Sequence, residues 1–308
     1  MAVLNFGSLN IDHVYHVDHV VRPGETLAGR GYRVFAGGKG ANQSAALALA
    51  GAPVAHAGRV GRDGRWLVDG LSALGVDVAH VVVDEEEPTG HAVIQVEEES
   101  GENAIVLFPG CNQRIAPDQV RTCLSSLDIG DILLLQNEIN GISEILSEAA
   151  GRGLRACLNP APYGPEVADY PLDRVDLLIV NRTEAVGLCG DPAVAEEAEV
   201  GQLLAGVRSR VPEQTEILLT LGAGGAVLDG PAGRLCSPAL SAGAAVDTTG
   251  AGDTFIGYFL AARLAGAGDE TCLRRAAAAA SLCVTRPGAR DAIPRRDEVD
   301  CFLGGGTP

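Results

Sequence analysis

One segment of the sequence places a carboxylate beside a turn of small residues, an arrangement suited to handling an anion. In DTTGAGD, residues 247–253, a strand end, a turn and the start of an apolar helix follow one another. Gly250, Ala251 and Gly252 leave their backbone N–H groups open to a ligand, and with the positive end of a helix these groups would hold an anion such as phosphate. Asp253 would repel that anion unless it accepts a proton or holds magnesium. A lone Asp after glycine is usually a helix cap, but the complete string favours the chemical interpretation.

A second glycine-rich segment, GGKGANQ at residues 37–43, precedes an Ala- and Leu-rich helix. Its spacing differs from that of the phosphate-binding loop G-x-x-x-x-G-K-[ST]. Gly38 allows a ligand to approach the backbone closely. Lys39 and Asn42, three apart at the helix start, could face one polyhydroxyl or phosphorylated ligand. On spacing alone, a glycine turn with a solvated lysine is the stronger interpretation.

Further polar residues stand on or directly after predicted strands. Asn10 and Asp12 are two apart, so both side chains leave one face of a strand and would suit sugar hydroxyls; an exposed strand or turn is the alternative. Glu138 follows the apolar run ILLLQ, at the edge where ligands gather in open α/β sheets, unless it is an ordinary helix-entry residue. Asn181 and Glu184 follow the run LLIV and could orient water around Mg²⁺ or form a capping box.

The order of apolar runs and helix-like stretches predicts an α/β fold. The apolar runs, interpreted as buried strands, lie at residues 2–7, 54–60, 131–135, 154–158, 177–180 and 217–221. The helix-like stretches between them include residues 40–50, 64–74, 117–127 and 142–152. Strands that alternate with helices imply right-handed crossovers and a central parallel sheet.

Two segments interrupt this alternation, at about residues 11–35 and 89–109. Both have strand character without an intervening helix, and the second predicts a hairpin that turns at residues 99–102. We expect them to form a small antiparallel sheet, a lid over the carboxyl edge of the main sheet. No linker or internal repeat divides the sequence, so residues 1–308 are expected to form a single domain.

Composition excludes several classes of protein. The 308 residues are 46% hydrophobic, 20% charged and 4% aromatic, which is typical of a globular protein with a large, tightly packed core. The net charge of −17 gives no global attraction to nucleic acid or an anionic membrane, so an anionic ligand needs a locally built site. The eight cysteines form no C-x-x-C pair and are interpreted as reduced, mostly buried thiols. Without an apolar run of about 18 residues to span a bilayer, a cytoplasmic protein is expected.

Five motifs, taken in their order along the chain, resemble the ribokinase (PfkB) family of carbohydrate kinases. They are AGGKGANQ near the amino terminus, LNPAP at 158–162, NRTE at 181–184, TLG at 220–222 and DTTGAGD at 247–253. Their order and spacing match over essentially the whole chain, and DTTGAGD is highly specific for the family. The resemblance implies a three-layer fold with a mostly parallel sheet flanked by helices, plus a small β-sheet lid that often forms a dimer contact.

The resemblance also implies roles for single residues. Asp253 would be the general base that accepts the proton of a sugar hydroxyl. The anion hole for the transferred phosphoryl group would consist of Gly250, Ala251 and Gly252. The positions that match sugar contacts are Asn10, Asp12, Gly38, Lys39, Asn42 and Glu138, together with Asp253. Asn181 and Glu184 match a motif that organises magnesium and phosphate, and Thr220 and Gly222 match nucleotide contacts.

A monovalent cation such as K⁺ is implied beside the anion hole, held mainly by backbone oxygens. The loop pair that would hold it includes Asp247, Thr249, Cys283, Arg286 and Gly288. The implied activity is ATP- and Mg²⁺-dependent phosphorylation of D-ribose at its primary hydroxyl, giving ribose 5-phosphate, by a homodimer paired through the lid. Two alternatives stay open: a sibling kinase for deoxyribose, fructose or a nucleoside, and a catalytically silent sugar- or nucleotide-binding regulator, which the intact Asp253 disfavours.

Three positions depart from the family pattern. Cys111 stands where a smaller alanine is usual on the sugar side, and Ala292 stands where a serine is often found near the cation loops. The helix sequence RRAAAAAS lacks the Asn or His that frequently faces the adenine. These departures bear on the shape of the sugar pocket, on the cation site and on selectivity for the base.

Overall fold

The computed structural model describes residues 2–97, 99–190 and 198–305. The strands in these ranges are β1 (Val3–Phe6), β2 (Asn10–Val17), β3 (Gly31–Gly37), β4 (Val54–Gly61), β5 (Asp77–Asp84), β6 (Gly90–Glu97), β7 (Asn103–Phe108), β8 (Ile132–Gln136), β9 (Arg155–Asn159), β10 (Leu177–Asn181), β11 (Glu216–Thr220), β12 (Ala226–Gly230) and β13 (Gly233–Ser237). The α-helices there are α1 (Lys39–Leu49), α2 (Arg65–Ala73), α3 (Pro117–Leu124), α4 (Ile142–Gly151), α5 (Arg182–Cys189), α6 (Val200–Arg208), α7 (Ala251–Leu264), α8 (Asp269–Cys283) and α9 (Arg296–Leu303). No helix in the described ranges is long and apolar enough to cross a membrane.

The main sheet has nine strands in the order β13-β12-β11-β10-β9-β8-β1-β4-β5. The strands from β11 to β5 in this order pair in parallel, and each apolar run interpreted as a strand falls on one of them. Strands β12 (AVLDG) and β13 (GRLCS) add an antiparallel edge that the apolar runs did not indicate, because they contain only three and two apolar residues. The predicted α/β class with a mostly parallel sheet is confirmed.

The sheet is covered on both faces, which is why its central strands are apolar throughout. In β8 every residue is buried: Ile132 and Leu134 pack on one face, and Leu133 and Leu135 on the other. The first face is covered mainly by α1, α7 and α8, and the second by α3, α4, α5 and α6. Packing of two separate cores against one sheet holds the carboxyl ends of the strands in fixed relative positions.

A separate four-stranded sheet has the order β3-β2-β6-β7, and we call it the small sheet. It is built from the two segments predicted to leave the main alternation, including the hairpin of β6 and β7. The prediction of an antiparallel sheet was wrong for its central pair, because β2 and β6 run parallel. The reason lies in the connections: β2 follows β1 and β6 follows β5, so both strands leave the same edge of the main sheet in the same direction.

Helices α1 and α7 lie unusually close to each other. A Cβ added to Gly257 of α7 would stand 2.4 Å from Cβ of Ala46 and 2.9 Å from the backbone N of Leu47 in α1. Glycine is therefore required at this crossing. Gly257 is one helical turn beyond Asp253, so the same close approach brings the first turns of the two helices together.

We expect Gly257→Ala to lower the free energy of unfolding by about 1–3 kcal/mol, because the added methyl group must push α1 away from α7. Urea denaturation measures the effect. The matched control is Gly201→Ala in α6, where a Cβ would meet nothing within 4 Å. That variant should be neutral or slightly more stable, since alanine is the better helix former. Equal effects of the two substitutions would contradict the close-packing argument.

Candidate active site at the carboxyl edge of the main sheet

Polar side chains end four consecutive strands of the main sheet. Gln136, Asn159, Asn181 and Thr220 are the last residues of β8, β9, β10 and β11. Because these strands are parallel, the four residues share one edge of the sheet, the edge at which open α/β folds bind ligands.

The first turn of α7 begins at the same edge. Gly250 has φ 75°, a left-handed conformation that favours glycine. The N–H of Ala251 donates to the carbonyl of Thr248 at 3.3 Å, and the N–H of Thr254 donates to that of Gly250 at 2.8 Å. The N–H groups of Gly252 and Asp253 lie in the first turn, where a helix offers no internal acceptor. A Cβ on Gly252 would meet nothing within 4 Å, so a ligand can reach this backbone.

Asp253 occupies the third position of α7 and is 8% exposed. Its Oδ1 accepts a hydrogen bond from Nε2 of Gln43 at 2.9 Å, and its Oδ2 accepts one from Nδ2 of Asn42 at 3.1 Å. Burial raises the pKa of the Asp253 carboxyl, while the ammonium of Lys39 and the two amide donors act in the opposite direction. A carboxylate with a raised pKa beside an open helix terminus is the environment expected of a general base.

Lys39 and Glu138 form the charged centre of the cleft. Oε2 of Glu138 accepts the backbone N–H of Lys39 at 2.9 Å and the hydroxyl of Ser8, so Glu138 anchors the start of α1. Burial acts to lower the pKa of Lys39, but Asp253, Glu138 and Glu184 outweigh it and raise that pKa. Lys39 therefore stays positively charged among three carboxyl groups.

Asn10 and Asp12 begin β2 of the small sheet and face this centre, as the alternation of strand side chains predicts. Oδ1 of Asn10 accepts Nδ2 of Asn112 at 2.7 Å. Burial and the carboxylate of Glu138 raise the pKa of Asp12 to about 6. Gly38 has φ 91°, and its missing Cβ would lie 2.9 Å from the backbone N of Asn10, which explains the glycine. The structure thus brings the predicted sugar-facing residues together.

One acceptor in this cleft lacks a partner in the described part of the chain. Oδ1 of Asn42 is buried without a hydrogen bond, although its amide nitrogen donates to Asp253. A buried acceptor without a partner is costly and fits a ligand that brings its own hydroxyl donor. This feature matches a polyhydroxyl ligand in contact with both Asn42 and Asp253.

A cavity of about 690 Å³ opens beside the first turn of α7 and is separate from the polar cleft of Asn10, Asp12 and Asn42, none of which lines it. Of the predicted residues, Asn181, Thr220, Gly222, Ala251 and Gly252 line it. Its far wall is apolar and is built by residues of α8 and by neighbouring residues, which include Leu240, Ala277, Ala280 and Val284. The structure therefore brings Asn181, Thr220 and Gly222 together around one space that reaches Gly252, the residue before Asp253.

Asn181 and Glu184 form the capping box that the sequence offered as an alternative to a magnesium site. Oδ1 of Asn181 accepts the N–H of Glu184, and Oε2 of Glu184 accepts the N–H of Asn181, both at 2.9 Å. Burial raises the pKa of Glu184. The cap and a ligand role are compatible, because Asn181 also lines the cavity and Glu184 lies near enough to Lys39 for their charges to interact.

The predicted cation loops meet at Asp247. Its Oδ1 accepts the N–H of Thr249 and its Oδ2 accepts the N–H of Gly288, each at 2.9 Å. Sγ of Cys283 lies 4.0 Å from the carbonyl oxygen of Thr249. The guanidinium of Arg286 pairs with Glu298, so Arg286 could offer a cation only its backbone. No group of three or more His, Cys, Asp or Glu side chains within the described ranges could hold a metal ion.

Sequence reasoning missed the amides that support the cleft from below. Gln136 and Asn159 end apolar strands, and Asn112 directly follows Cys111 in the sequence FPGCN, residues 108–112. Gln43 closes the motif GGKGANQ but was not assigned a role. An amide directly after an apolar run, at the edge where ligands bind, was the available signal.

The fold and the site together define an enzyme that could transfer a group from an anionic donor in the cavity to a hydroxyl beside Asp253. A model of the pfkB family of carbohydrate kinases matches residues 2–296. A ribokinase of Haemophilus influenzae is 36% identical over 304 residues, which cover 96% of each chain. A structure of Arabidopsis thaliana ribokinase complexed with ribose and ATP superposes with a TM-score of 0.86 at 32% identity, over 98% of each chain. A Cryptococcus neoformans ribokinase in complex with ADP gives 0.85 at 35% identity, over 98% of this chain and 99% of that one.

The chain belongs to the PfkB family of carbohydrate kinases.

We expect the carboxylate of Asp12 to reduce stability at neutral pH. Its pKa rises from 3.8 to about 6 on folding, so its favourable contribution is complete below pH 3.8 and is lost as the pH rises through 6. The unfolding free energy of Asp12→Asn minus that of the unmodified protein should therefore be about 2 kcal/mol larger at pH 7 than at pH 4. Urea denaturation at both pH values tests this, with the exposed Asp69→Asn as the control. A constant difference across the range would contradict the expectation.

Proposed function

We propose that this protein is an ATP-dependent kinase that phosphorylates D-ribose to ribose 5-phosphate. The observation that carries the proposal is the position of Asp253, which directly follows Gly252 of the cavity wall and accepts a hydrogen bond from Asn42 of the polar cleft. Support comes from ribokinase relatives of 31–36% identity that match nearly the full chain, and from the Arabidopsis structure complexed with ribose and ATP.

In this proposal the carboxylate of Asp253 accepts the proton of the primary hydroxyl of ribose. The hydroxyl oxygen attacks the γ-phosphorus of ATP, the bond from that phosphorus to the bridging oxygen breaks, and ADP leaves with the electron pair. The turn of Gly250, Ala251 and Gly252 faces the negative charge of the transferred group. The N–H of Gly252 is open to that group, whereas the N–H of Ala251 donates to the carbonyl of Thr248 at 3.3 Å. Alignment and charge stabilisation of this kind supply most of the catalysis in phosphoryl transfer.

The sugar is held by the cleft under the small sheet. Asp12 accepts hydroxyl protons from one side, and the buried Oδ1 of Asn42 accepts another. Lys39 donates to a sugar oxygen and balances the carboxylates around it. Asn10, Gly38 and Glu138 complete the cleft. These side chains are oriented by the protein before a sugar arrives, which lowers the entropic cost of binding.

The nucleotide occupies the cavity beside Asn181, Thr220 and Gly222. The oxygen donors of Asn181 and Glu184 suit the hydrated Mg²⁺ that neutralises phosphate charge in such reactions. The apolar wall at α8 would hold the base by packing rather than by a side-chain amide, because Ala277 and Ala280 stand there. Phosphate contacts, more than contacts to the base, would then carry the affinity for ATP.

A monovalent cation such as K⁺ is proposed for the loops joined by Asp247. Asp247 joins the two loops by accepting the N–H groups of Thr249 and Gly288, with Cys283 and Arg286 on the same segment as Gly288. The backbone carbonyl oxygens of these loops would be the groups that hold the ion. Hard oxygen donors suit such an ion. When bound, it would add positive charge behind the first turn of α7.

The test of the proposed function is ADP release across ribose, deoxyribose, fructose and nucleosides, with ATP and Mg²⁺, in K⁺ and in K⁺-free buffer. Ribose should give the highest kcat/KM, and removal of K⁺ should lower it. A higher value for another acceptor would identify a sibling kinase. No ADP from any acceptor would indicate a silent binding protein.

We expect Asp253→Asn to lower kcat by about 10²-fold or more, because the substitution removes the proton acceptor and keeps the shape. Ribose affinity, measured by calorimetry, should stay nearly unchanged. Asn181→Ala is the comparison, since it should raise the KM for ATP while the general base Asp253 remains in place. Near-normal turnover of Asp253→Asn would remove that residue from the proposed role.

We propose that the chain works as a single domain in the cytoplasm, where ATP is available. We also propose that the small sheet is a lid and that a second copy of the chain packs against this sheet to form a homodimer. Strand β7 is an edge strand of the small sheet, so one of its sides pairs with no other strand of the described ranges. The exposed large apolar side chains of β7 are Ile105, Val106, Leu107 and Phe108, and those of the other three strands are Tyr15, Tyr32, Val34 and Val93. An apolar surface with an open strand edge favours association. Two-fold pairing would cover it on both chains at once.

Light scattering at micromolar concentration should report about twice the 31.6 kDa chain mass. Val106→Glu, at a position 68% exposed on β7, should give the single-chain mass. Ile129→Glu is the control, because that residue is 86% exposed outside the small sheet and should leave the mass doubled. A single-chain mass for the unmodified protein, with full activity, would show that the small sheet works without a partner.

A further inference from the structure

Four buried side-chain amides lie beneath Asp253, and we call them the amide chain: Asn5, Gln43, Gln136 and Asn159. The first three are fully buried and Asn159 is 5% exposed. They come from β1, α1, β8 and β9, so the amide chain crosses from the main sheet to the helix that faces α7. Buried amides are costly unless hydrogen-bonded. Three hydrogen bonds link these four amides to one another, and Oε1 of Gln136 is their one oxygen without a partner in the described part of the chain.

The first end of the amide chain is anchored on a backbone carbonyl. Nδ2 of Asn5 donates to the carbonyl of Gly40 at 2.7 Å, and Oδ1 of Asn5 accepts Nε2 of Gln136 at 2.9 Å. A backbone carbonyl can only accept, so Asn5 cannot be inverted without losing this bond. The same nitrogen of Gln136 also donates to Oε1 of Gln43 at 2.6 Å.

The second end is anchored in the same way. Nδ2 of Asn159 donates to the carbonyl of Ile179 at 3.0 Å, which leaves Oδ1 of Asn159 to accept Nε2 of Gln43 at 3.1 Å. Both ends therefore require Gln43 to point its N–H₂ group in one direction. The remaining hydrogen of that group meets Oδ1 of Asp253 at 2.9 Å.

We propose that the amide chain makes Gln43 a positioning residue for the general base: it fixes the rotation of the Asp253 carboxylate and stabilises its charged form. The proposal rests on the function proposed above. Inversion of Gln43 would place its oxygen against a carboxylate oxygen, and the two anchored ends prevent that inversion. With Oδ1 held by Gln43, Oδ2 is directed towards Asn42 and the sugar cleft.

The charges around Asp253 show why such a donor matters. Lys39 on α1 favours the charged carboxylate, whereas Glu138 after β8 and Glu184 on α5 are further negative groups whose charges interact with it. Cys283 on α8 also lies within range of the Asp253 charge. One ammonium faces three carboxyl groups, so the neutral donor Gln43 supplies compensation that Lys39 alone does not.

The experiment compares the pH dependence of kcat for ribose phosphorylation in the unmodified enzyme, Gln43→Met and Gln136→Met. Gln43→Met removes the donor at nearly constant volume, so the acid limb should move to higher pH by about one unit, with the sugar KM within about twofold. Gln136→Met removes one of the two anchors and leaves Oε1 of Gln43 without its donor, so it should shift the limb in the same direction by a smaller amount. The loss of kcat should shrink at high pH, which a purely structural defect would not produce.

The control is Ser44→Ala on the same helix. Ser44 is fully buried and accepts Nδ2 of Asn5 at 2.9 Å, but the orientation of the amide chain does not depend on it, because the carbonyl of Gly40 already anchors Asn5. Its acid limb should match that of the unmodified enzyme. If Gln43→Met fails to fold, Gln136→Met decides the outcome.

An unmoved limb in the folded Met variants would overturn the proposal, as would an equal shift in Ser44→Ala. If Asp253→Asn abolishes turnover while the limb stays in place, only the role of Gln43 fails. If Asp253→Asn retains turnover, the proposed function of that residue fails first.

Discussion

Burial of the Asp253 carboxylate is the constraint on which the rest of the site depends. A carboxylate removed from water is strongly destabilised unless hydrogen bonds and opposite charge replace the lost solvation. Here Asn42 and Gln43 supply the hydrogen bonds and Lys39 the charge, and all three lie in the first two turns of α1. The position of α1 relative to α7 is therefore a requirement of the chemistry as well as of the packing.

That relative position is set by small residues. The closest approach is at Gly257 against Ala46, and Gly40 lies against the backbone of Ser8 at the start of the same helix. Larger side chains would separate the helices and lengthen the bonds from α1 to Asp253. The core on this face is rich in alanine, including Ala276, Ala277, Ala278 and Ala279 of α8. The need for close helix packing therefore explains both the high alanine content of this core and the geometry of the site.

The sequence predicts the main sheet well because its central strands are buried on both faces and form continuous apolar runs. It also indicates the small sheet, but not the parallel pairing of β2 with β6, which depends on where the connections leave the main sheet. Within the site, the motifs identify residues at glycine-rich turns. They assign no role to Gln136 or to Asn159, although Asn159 lies in the motif LNPAP, since the place of each amide beneath Asp253 follows from the parallel order of β8 and β9.

The charge of the cleft limits what can enter it. Glu138, Glu184 and Asp253 face the single ammonium of Lys39, and Asp12 lies near enough to Glu138 for their charges to interact, in a protein whose net charge is −17. A triphosphate would be repelled by such a site if it came alone. The first turn of α7 offsets only about half an elementary charge. Cations that accompany or precede the nucleotide must supply the remainder, and a partly protonated Asp12, with a pKa of about 6, lowers the amount required. The same acidic cleft favours a neutral sugar over an anionic acceptor, because hydroxyl groups can donate to carboxylates that would repel a second phosphate.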